Sequence, residues 1–333
     1  MSNRKSFFKA VCCFVVTFAS VLSAGAVWAS EFKLSNQFPP SHHLSKGMIF
    51  FADKVKEYSG GKVECKIFDS AQLYKDTEIV EALQDGMVEA GLVPTNKWSG
   101  MISAIDVFEV PFIFSELPSI KKFLDAGASD LFDTEFSARG VKDIFWVDYG
   151  YVQFFNSKRP LKTPDDFKGL SMRAFSSGDA AILVALGAAP TIMSSSEMYM
   201  ALQRGTVDGA TTGMPAAVSR KINEVQKYLT ISNYSCAQFV VQGNLKWWNS
   251  LPDDEKDAIT KAGRDTEAWV RDVIAESETQ ALSDIKASGL EVHTLTQGER
   301  DLFAKATASV WDDFAAKTGD LGKKLLDFAR SID

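Results

Sequence analysis

Cysteine and histidine are both scarce in this 333-residue chain, four of one and three of the other. Their positions withhold several kinds of chemistry. Cys12 and Cys13 fall inside an apolar N-terminal run, and the remaining pair, Cys65 and Cys236, are far apart. One disulfide and two buried thiols are both open, with two thiols the expectation. His42 and His43 are adjacent and so point in different directions, His293 is remote, and no cysteine cluster is near, so a metal site is not expected. The chain also lacks G-x-S-x-G, a phosphate loop and H-E-x-x-H. Catalysis is thereby left without a nucleophile in a known setting, and neither an enzyme nor a cofactor is expected. Positive charge is not in excess: the formal charge is −7, and −10 without residues 1–29. That balance makes nucleic acid a poor partner. No internal repeat and no low-complexity linker divides the chain.

What is present begins with an export signal. Arg4, Lys5 and Lys9 precede an apolar run from Ala10 to about Leu22, followed by small residues up to Ala29. This pattern reads as a secretory signal peptide over residues 1–29, cleaved before Ser30, and places the mature chain in the periplasm. The run is too short for a convincing membrane span. The remaining 304 residues exceed what one core usually organises and favour two lobes, for which a hydrophobic content of 46% is ample.

Strand and helix signals alternate. FKLSNQ reads as a strand, and Leu44, Met48, Phe51, Val55 and Tyr58 share one helical face. KVECKIF, a helix over TEIVEALQDG and the strand EAGLV follow, which implies a largely parallel sheet covered by helices. VKDIFWV and YVQFF read as two strands around Asp148 to Gly150. Residues 30–151 with 237–270 are expected to form lobe I, and 152–236 with 271–333 lobe II. A helix over about 252–288, roughly 55 Å long at 1.5 Å per residue, would bridge them unless it breaks near Gly263. The fold class is α/β, two lobes around a cleft.

The block from Pro160 to Gly213 carries the sharpest signals. Thr163 is an N-cap with Pro164 at the first helical position and Asp166 three residues after the cap; Gly169 stops that turn. LSMRA reads as a strand, so Arg173 stands near the carboxyl end of an apolar strand, the usual place for a ligand in an open α/β sheet. A guanidinium offers two parallel donors that match a carboxylate and stays charged. The alternative is an arginine paired with a surface acid. Further helices are expected over about 179–186, closed by Gly187, and over EMYMALQR, closed by Gly205.

TPDDFKGL, the strand ending in Met-Arg, LGAAPT, the E-MY-ALQ-G pattern and VDG resemble the DctP family of TRAP-transporter solute receptors. GGKVECKIFDSAQL (60–73), ALQDGMVEAGL (82–92), DVFEVPFIF (106–114), EVQKYLT (224–230) and LPDDEKDAI (251–259) extend the resemblance over nearly the whole mature chain. It implies a periplasmic receptor, not an enzyme, that closes around a small organic acid and delivers it to TRAP-type membrane permease subunits. It implies that Arg173 pairs with the ligand carboxylate. Many members carry a second arginine where this chain has Val152, which weakens the case for a dicarboxylate or sugar acid.

Gln153, Phe154, Phe155 and Phe175 lie near these positions, and the alternation of a strand lets only one of Phe154 and Phe155 face the cleft. Aromatic walls suit flat apolar bodies, so an aromatic or otherwise apolar monocarboxylate is the expected ligand, with a C4-dicarboxylate or sugar acid as the alternative. By resemblance, Gln37 and Phe38 after the first strand, Thr95, Asn96 and Trp98 after EAGLV, Ser195, and Thr211 and Thr212 after VDG complete the pocket. Asp53, Glu57, Asp76 and Glu78 read as solvated faces. A receptor serving a sensor kinase and a secreted enzyme acting on an organic acid are the rival readings.

Overall fold

The alternating signals converge on a single mixed sheet in the computed structural model, which describes residues 30–114 and 116–332; the expected signal peptide lies outside the described residues. Nine strands occur among these residues: β1 Ser30–Ser35, β2 Val63–Phe68, β3 Ala90–Pro94, β4 Val141–Asn156, β5 Ser171–Ala174, β6 Ala189–Ile192, β7 Gly209–Thr212, β8 Tyr228–Asn244 and β9 Glu291–Thr294. Eleven helices accompany them: α1 His43–Tyr58, α2 Ile79–Gln84, α3 Leu117–Phe123, α4 Ser129–Ser137, α5 Ser177–Leu186, α6 Met198–Gln203, α7 Met214–Ser219, α8 Leu245–Ser250, α9 Asp253–Ala287, α10 Gln297–Ala306 and α11 Ala308–Ile332.

The strand order is β2-β1-β3-β8-β4-β7-β5-β6, with β9 also on β8. The first lobe carries the parallel set β2-β1-β3 and the second the parallel set β7-β5-β6. β4 and β8 form one long antiparallel pair through both. β8 meets β3 at Phe239–Gly243, and β4 meets β7 at Gln153–Asn156. The two strands expected around Asp148 to Gly150 are thus one strand. Bulges between Asp148 and Gly150 and between Val152 and Phe154 kink it without ending it. Gly150 takes φ 108° there, a backbone that other residues rarely adopt.

The apolar face predicted for α1 is buried, with Leu44, Met48, Phe51 and Val55 inaccessible and Tyr58 at its edge. The Thr163 signal produces a capping box on a short 3₁₀ turn, Pro164–Phe167. α9 is continuous over 35 residues, roughly 52 Å at 1.5 Å per residue. Gly263 does not break it: a Cβ there would stand 2.7 Å from the Phe145 ring, so the glycine lets the helix lie close on β4. α9 starts beside α1 and ends over the second lobe, where Ala281 and Ile285 join a cluster with Phe155, Met198 and Leu229. α10 stays there, with Phe303 against Phe154 and Phe167. α11 departs from the expected assignment of residues 271–333 to lobe II. Its Phe314, Leu325, Leu326 and Ala329 join the first-lobe cluster of Phe108, Phe123 and Phe132. Cys65 and Cys236 are free and buried.

Candidate functional site

Tyr149 and Val152 on β4 and Ala237 and Phe239 on β8 wall a cavity where the two strands pass between lobes, with about 410 Å³ of atom-free space. The first lobe adds Gln37, Phe38, Asp76, Pro94, Asn96 and Lys97; the second adds Arg173, Phe175, Ser195, Thr212 and Arg220.

Arg173 is 2% exposed on β5. Its Nε and Nη2 donate to the Met193 carbonyl at 3.2 and 3.1 Å, and Nη1 donates to the Thr211 carbonyl at 3.0 Å. A guanidinium has five N–H donors, so two remain. Burial lowers its pKa, opposed by the charges of Asp76 and Asp179. No carboxylate of the described residues lies within the 4.0 Å of an ion pair. Asp179 stands behind, accepting from the Thr211 and Tyr234 hydroxyls and the Phe175 N–H. Burial raises its pKa against those bonds.

Arg220 follows α7, and Nη2 reaches across to the Gln37 carbonyl at 3.1 Å and to Ser195 Oγ at 3.2 Å. Its guanidinium lies 4.7 Å over the Phe38 ring, which stacks on His42 with planes 9° apart. Burial pushes Arg220 down to about 10; Tyr149 and Asp76 oppose this, and the like charge of Arg173 adds to it. Arg220 also lacks a carboxylate partner among the described residues. Lys97 does have one, Asp76, at 3.2 Å, and donates to the Phe175 carbonyl at 2.7 Å. Burial works against ionised Asp76, but Lys97, Ser194 and Arg173 outweigh it and hold its pKa below the usual value. Three cations and one carboxylate therefore line the cavity.

Polar bonds tie the lobes together around it. Ser195 Oγ donates to Gln37 Oε1 at 2.5 Å, Ser194 donates to Asp76, and Ser176 Oγ lies 2.8 Å from both oxygens of Glu109. This is a closed arrangement.

Of the residues singled out from sequence, Arg173, Gln37, Phe38, Asn96, Phe175, Ser195 and Thr212 meet at the cavity. Six do not. Trp98 is fully buried with Nε1 on Gln242 Oε1 at 3.0 Å, and Thr95 is buried beside it, off the cavity wall. Gln153 turns its amide to the backbone N–H groups of Ser232 and Asn233 at 2.8 and 3.1 Å, where β8 bends. Neither Phe154 nor Phe155 faces the cleft, because helices cover both faces of β4. Phe154 stacks on Tyr234 at 4.5 Å, and Phe155 packs with Met198. Thr211 serves behind Arg173 through its carbonyl.

Asp76, read as a solvated face, is 4% exposed and part of the wall. Tyr149, Lys97, Arg220 and Phe239 carried no sequence signal beyond proximity of Lys97 to Asn96. Tyr149 Oη bonds Thr212 Oγ1 at 2.9 Å and accepts from the Gly213 N–H at 2.8 Å, positions far from it in sequence. His42 and His43 belong to the frame: His42 Nδ1 accepts from the Leu44 N–H at 3.2 Å, and His43 Nε2 meets the Asp148 carbonyl at 3.1 Å. Burial lowers both pKa values, that of His43 to about 4.

Residues 34–318 match the family DctP, bacterial extracellular solute-binding protein family 7. The chain is 33% identical over 291 residues to the C4-dicarboxylate-binding periplasmic protein DctP of Rhodobacter capsulatus, covering 86% of this chain and 87% of that one. Solved structures agree. A sugar acid binding protein of Advenella mimigardefordensis in complex with galactonate superposes with a TM-score of 0.88 at 26% identity, covering 92% of this chain and 99% of its own. A TRAP periplasmic solute binding protein of Sulfurospirillum deleyianum with bound succinate gives 0.87 at 29% identity, covering 92% and 100%. Fold, cavity and sequence together make this chain a member of the DctP family of TRAP-transporter solute-binding proteins, a receptor and not an enzyme.

Proposed function

We propose that the chain is the periplasmic receptor of a TRAP transporter, that Arg173 clamps a carboxylate of its cargo, and that a compact dicarboxylate such as a C4 acid is the preferred class. The observation that carries this is the buried Arg173 with two N–H donors left over and no protein carboxylate to meet them. An unpaired buried charge is costly, so an anionic ligand is the natural partner. Closure around it presents the loaded form to membrane permease subunits.

The expectation of an aromatic monocarboxylate leaned on Val152 in place of a second arginine and on nearby aromatics; Val152 and Phe175 line the cavity, but the rings of Phe154 and Phe155 stand in the core. The remaining aromatic wall of Phe38, Tyr149, Phe175 and Phe239 surrounds a charged centre that outnumbers its one carboxylate. Among the relatives, one is named as C4-dicarboxylate-binding and one was crystallised with succinate, while another holds galactonate, so they support an organic acid and include the dicarboxylate class. A thermal-shift panel of succinate, malate, galactonate, phenylpyruvate and indole-3-acetate tests the reading on protein beginning at residue 30. The C4 acids are expected to raise the melting temperature most. A rise with only the aromatic acids would overturn the ligand class, and no rise with any acid would overturn the receptor role of the cavity.

A further inference from the structure

Arg220 is a cation of the cavity wall that neither the strand pattern nor its place after α7 marks out. At the end of a helix an arginine ordinarily complements the helix dipole from the surface. Here Lys221, at φ 61°, turns the chain away just after it, and the guanidinium points inward over Phe38 and beside Ser195. All its hydrogen bonds leave from Nη2. Nε and both hydrogens of Nη1 find no partner among the described residues.

Lys97 is neutralised by Asp76, so Arg173 and Arg220 are the two positive charges on the wall without a facing carboxylate. They sit on different elements of the second lobe, and each presents unused donors. A monoanion satisfies one and leaves the other uncompensated. Val152, the wall residue of β4 between Tyr149 and Gln153, offers no charge of its own.

We propose that Arg220 reads the second negative group of the cargo and so sets the preference for a dianion over a monocarboxylate. The inference rests on the receptor reading with Arg173 as first clamp. Because Nη2 of Arg220 is also bonded to Gln37 of the first lobe, its recognition of that group is completed only on closure. A monocarboxylate closes the lobes over an unbalanced guanidinium and is held less tightly.

Isothermal titration of succinate and of butyrate, equal in chain length and differing in one carboxylate, tests this in the wild type, R220Q, R220K, S195A and R173Q. In R220Q succinate affinity is expected to fall roughly tenfold or more, the scale of a lost charge-assisted hydrogen bond, while butyrate changes little. R220K keeps the charge without the fork and should fall between. S195A loses a lobe-bridging bond but no charge, and should weaken both acids by one common factor. R173Q should lose both.

Equal weakening of succinate and butyrate in R220Q and R220K would show a bridging role alone and overturn the proposal. A wild type that binds butyrate as tightly as succinate would overturn it too, while loss in R173Q would keep the receptor reading. Should the wild type bind neither acid, the dianion proposal falls, and the receptor reading is decided separately by the thermal-shift panel. R220K guards against a folding failure of R220Q, since a lysine retaining the full succinate preference would remove the requirement for a guanidinium.

Discussion

Arg173 makes three bonds to the protein, and they decide what its removal does. The Met193 and Thr211 carbonyls lose their donors when the guanidinium goes. R173Q is therefore expected to weaken carboxylate binding by roughly a hundredfold or more and also to cost about 1–3 kcal/mol of stability. Titration alongside urea unfolding measures both, and a stability loss with unchanged affinity would make Arg173 purely structural. The position of this residue was legible because it stands near the end of an apolar strand, while its expected carboxylate role came from the resemblance to the DctP family. Asp76 was not: it sits in a polar loop and reads as solvated, yet it is buried by contact with Lys97 and Ser194. Arg220 and Tyr149 stayed hidden for the same reason, since their partners lie far along the chain. Phe154 and Phe155 misled because alternation tells which faces differ, and here both faces are covered.

Elements were more legible than residues, since capping and periodicity are local. Thr163 caps its turn as read from the sequence, and Ser176 and Thr296, which the sequence reading did not single out, cap α5 and α10. The continuity of α9 through Gly263 was left open because it depends on how close Phe145 lies, which is a tertiary fact. The same helix brings Glu278 against Gly150, where a Cβ would stand 2.2 Å from its carboxylate oxygen. Burial pushes Glu278 up to about 8, against the Tyr151 backbone N–H. A carboxyl raised in the folded state binds its proton more tightly there than in the unfolded chain. Its stabilising contribution is complete below the ordinary carboxylate range and is lost as pH rises through about 8. Asp143, raised to about 7, and Asp148, to about 6, act in the same direction for the same cause, burial. Melting temperature is thus expected to fall from pH 5.5 to 8.5, and E278Q, which cannot ionise, to show a shallower fall. E278Q at pH 8.5 should gain about 1–3 kcal/mol over the wild type. An unchanged slope in E278Q would mean that the carboxyl ionises freely at the crossing.

Closure of the whole molecule is held by polar contacts that include Ser195 on Gln37, Ser194 on Asp76, Ser176 on Glu109, Arg220 on Gln37, Lys97 on the Phe175 carbonyl and Lys75 on Glu197. Each such bond is worth about 1 kcal/mol net, and the like charges of Arg173 and Arg220 share one cavity wall. The empty protein should therefore favour an open form and the loaded one the closed form. Small-angle X-ray scattering is expected to show a smaller radius of gyration on adding saturating succinate, and an unchanged radius would mean that the lobes do not move. The bulges of β4 absorb the bend without ending the strand.

The chain passes from lobe to lobe along β4, β8 and α9 and once more where α10 gives way to α11. An even number of passages returns the chain to its starting lobe. β1 and α11 accordingly lie on the same side, so a tag or tether at either end holds the first lobe and leaves the second free to swing. Two fluorophores placed at the two ends would travel together and miss the motion altogether. Each lobe is also stitched from separated stretches, so no single cut releases one intact, and trimming α11 takes Phe314 and Leu325 out of the core of a lobe begun almost three hundred residues earlier.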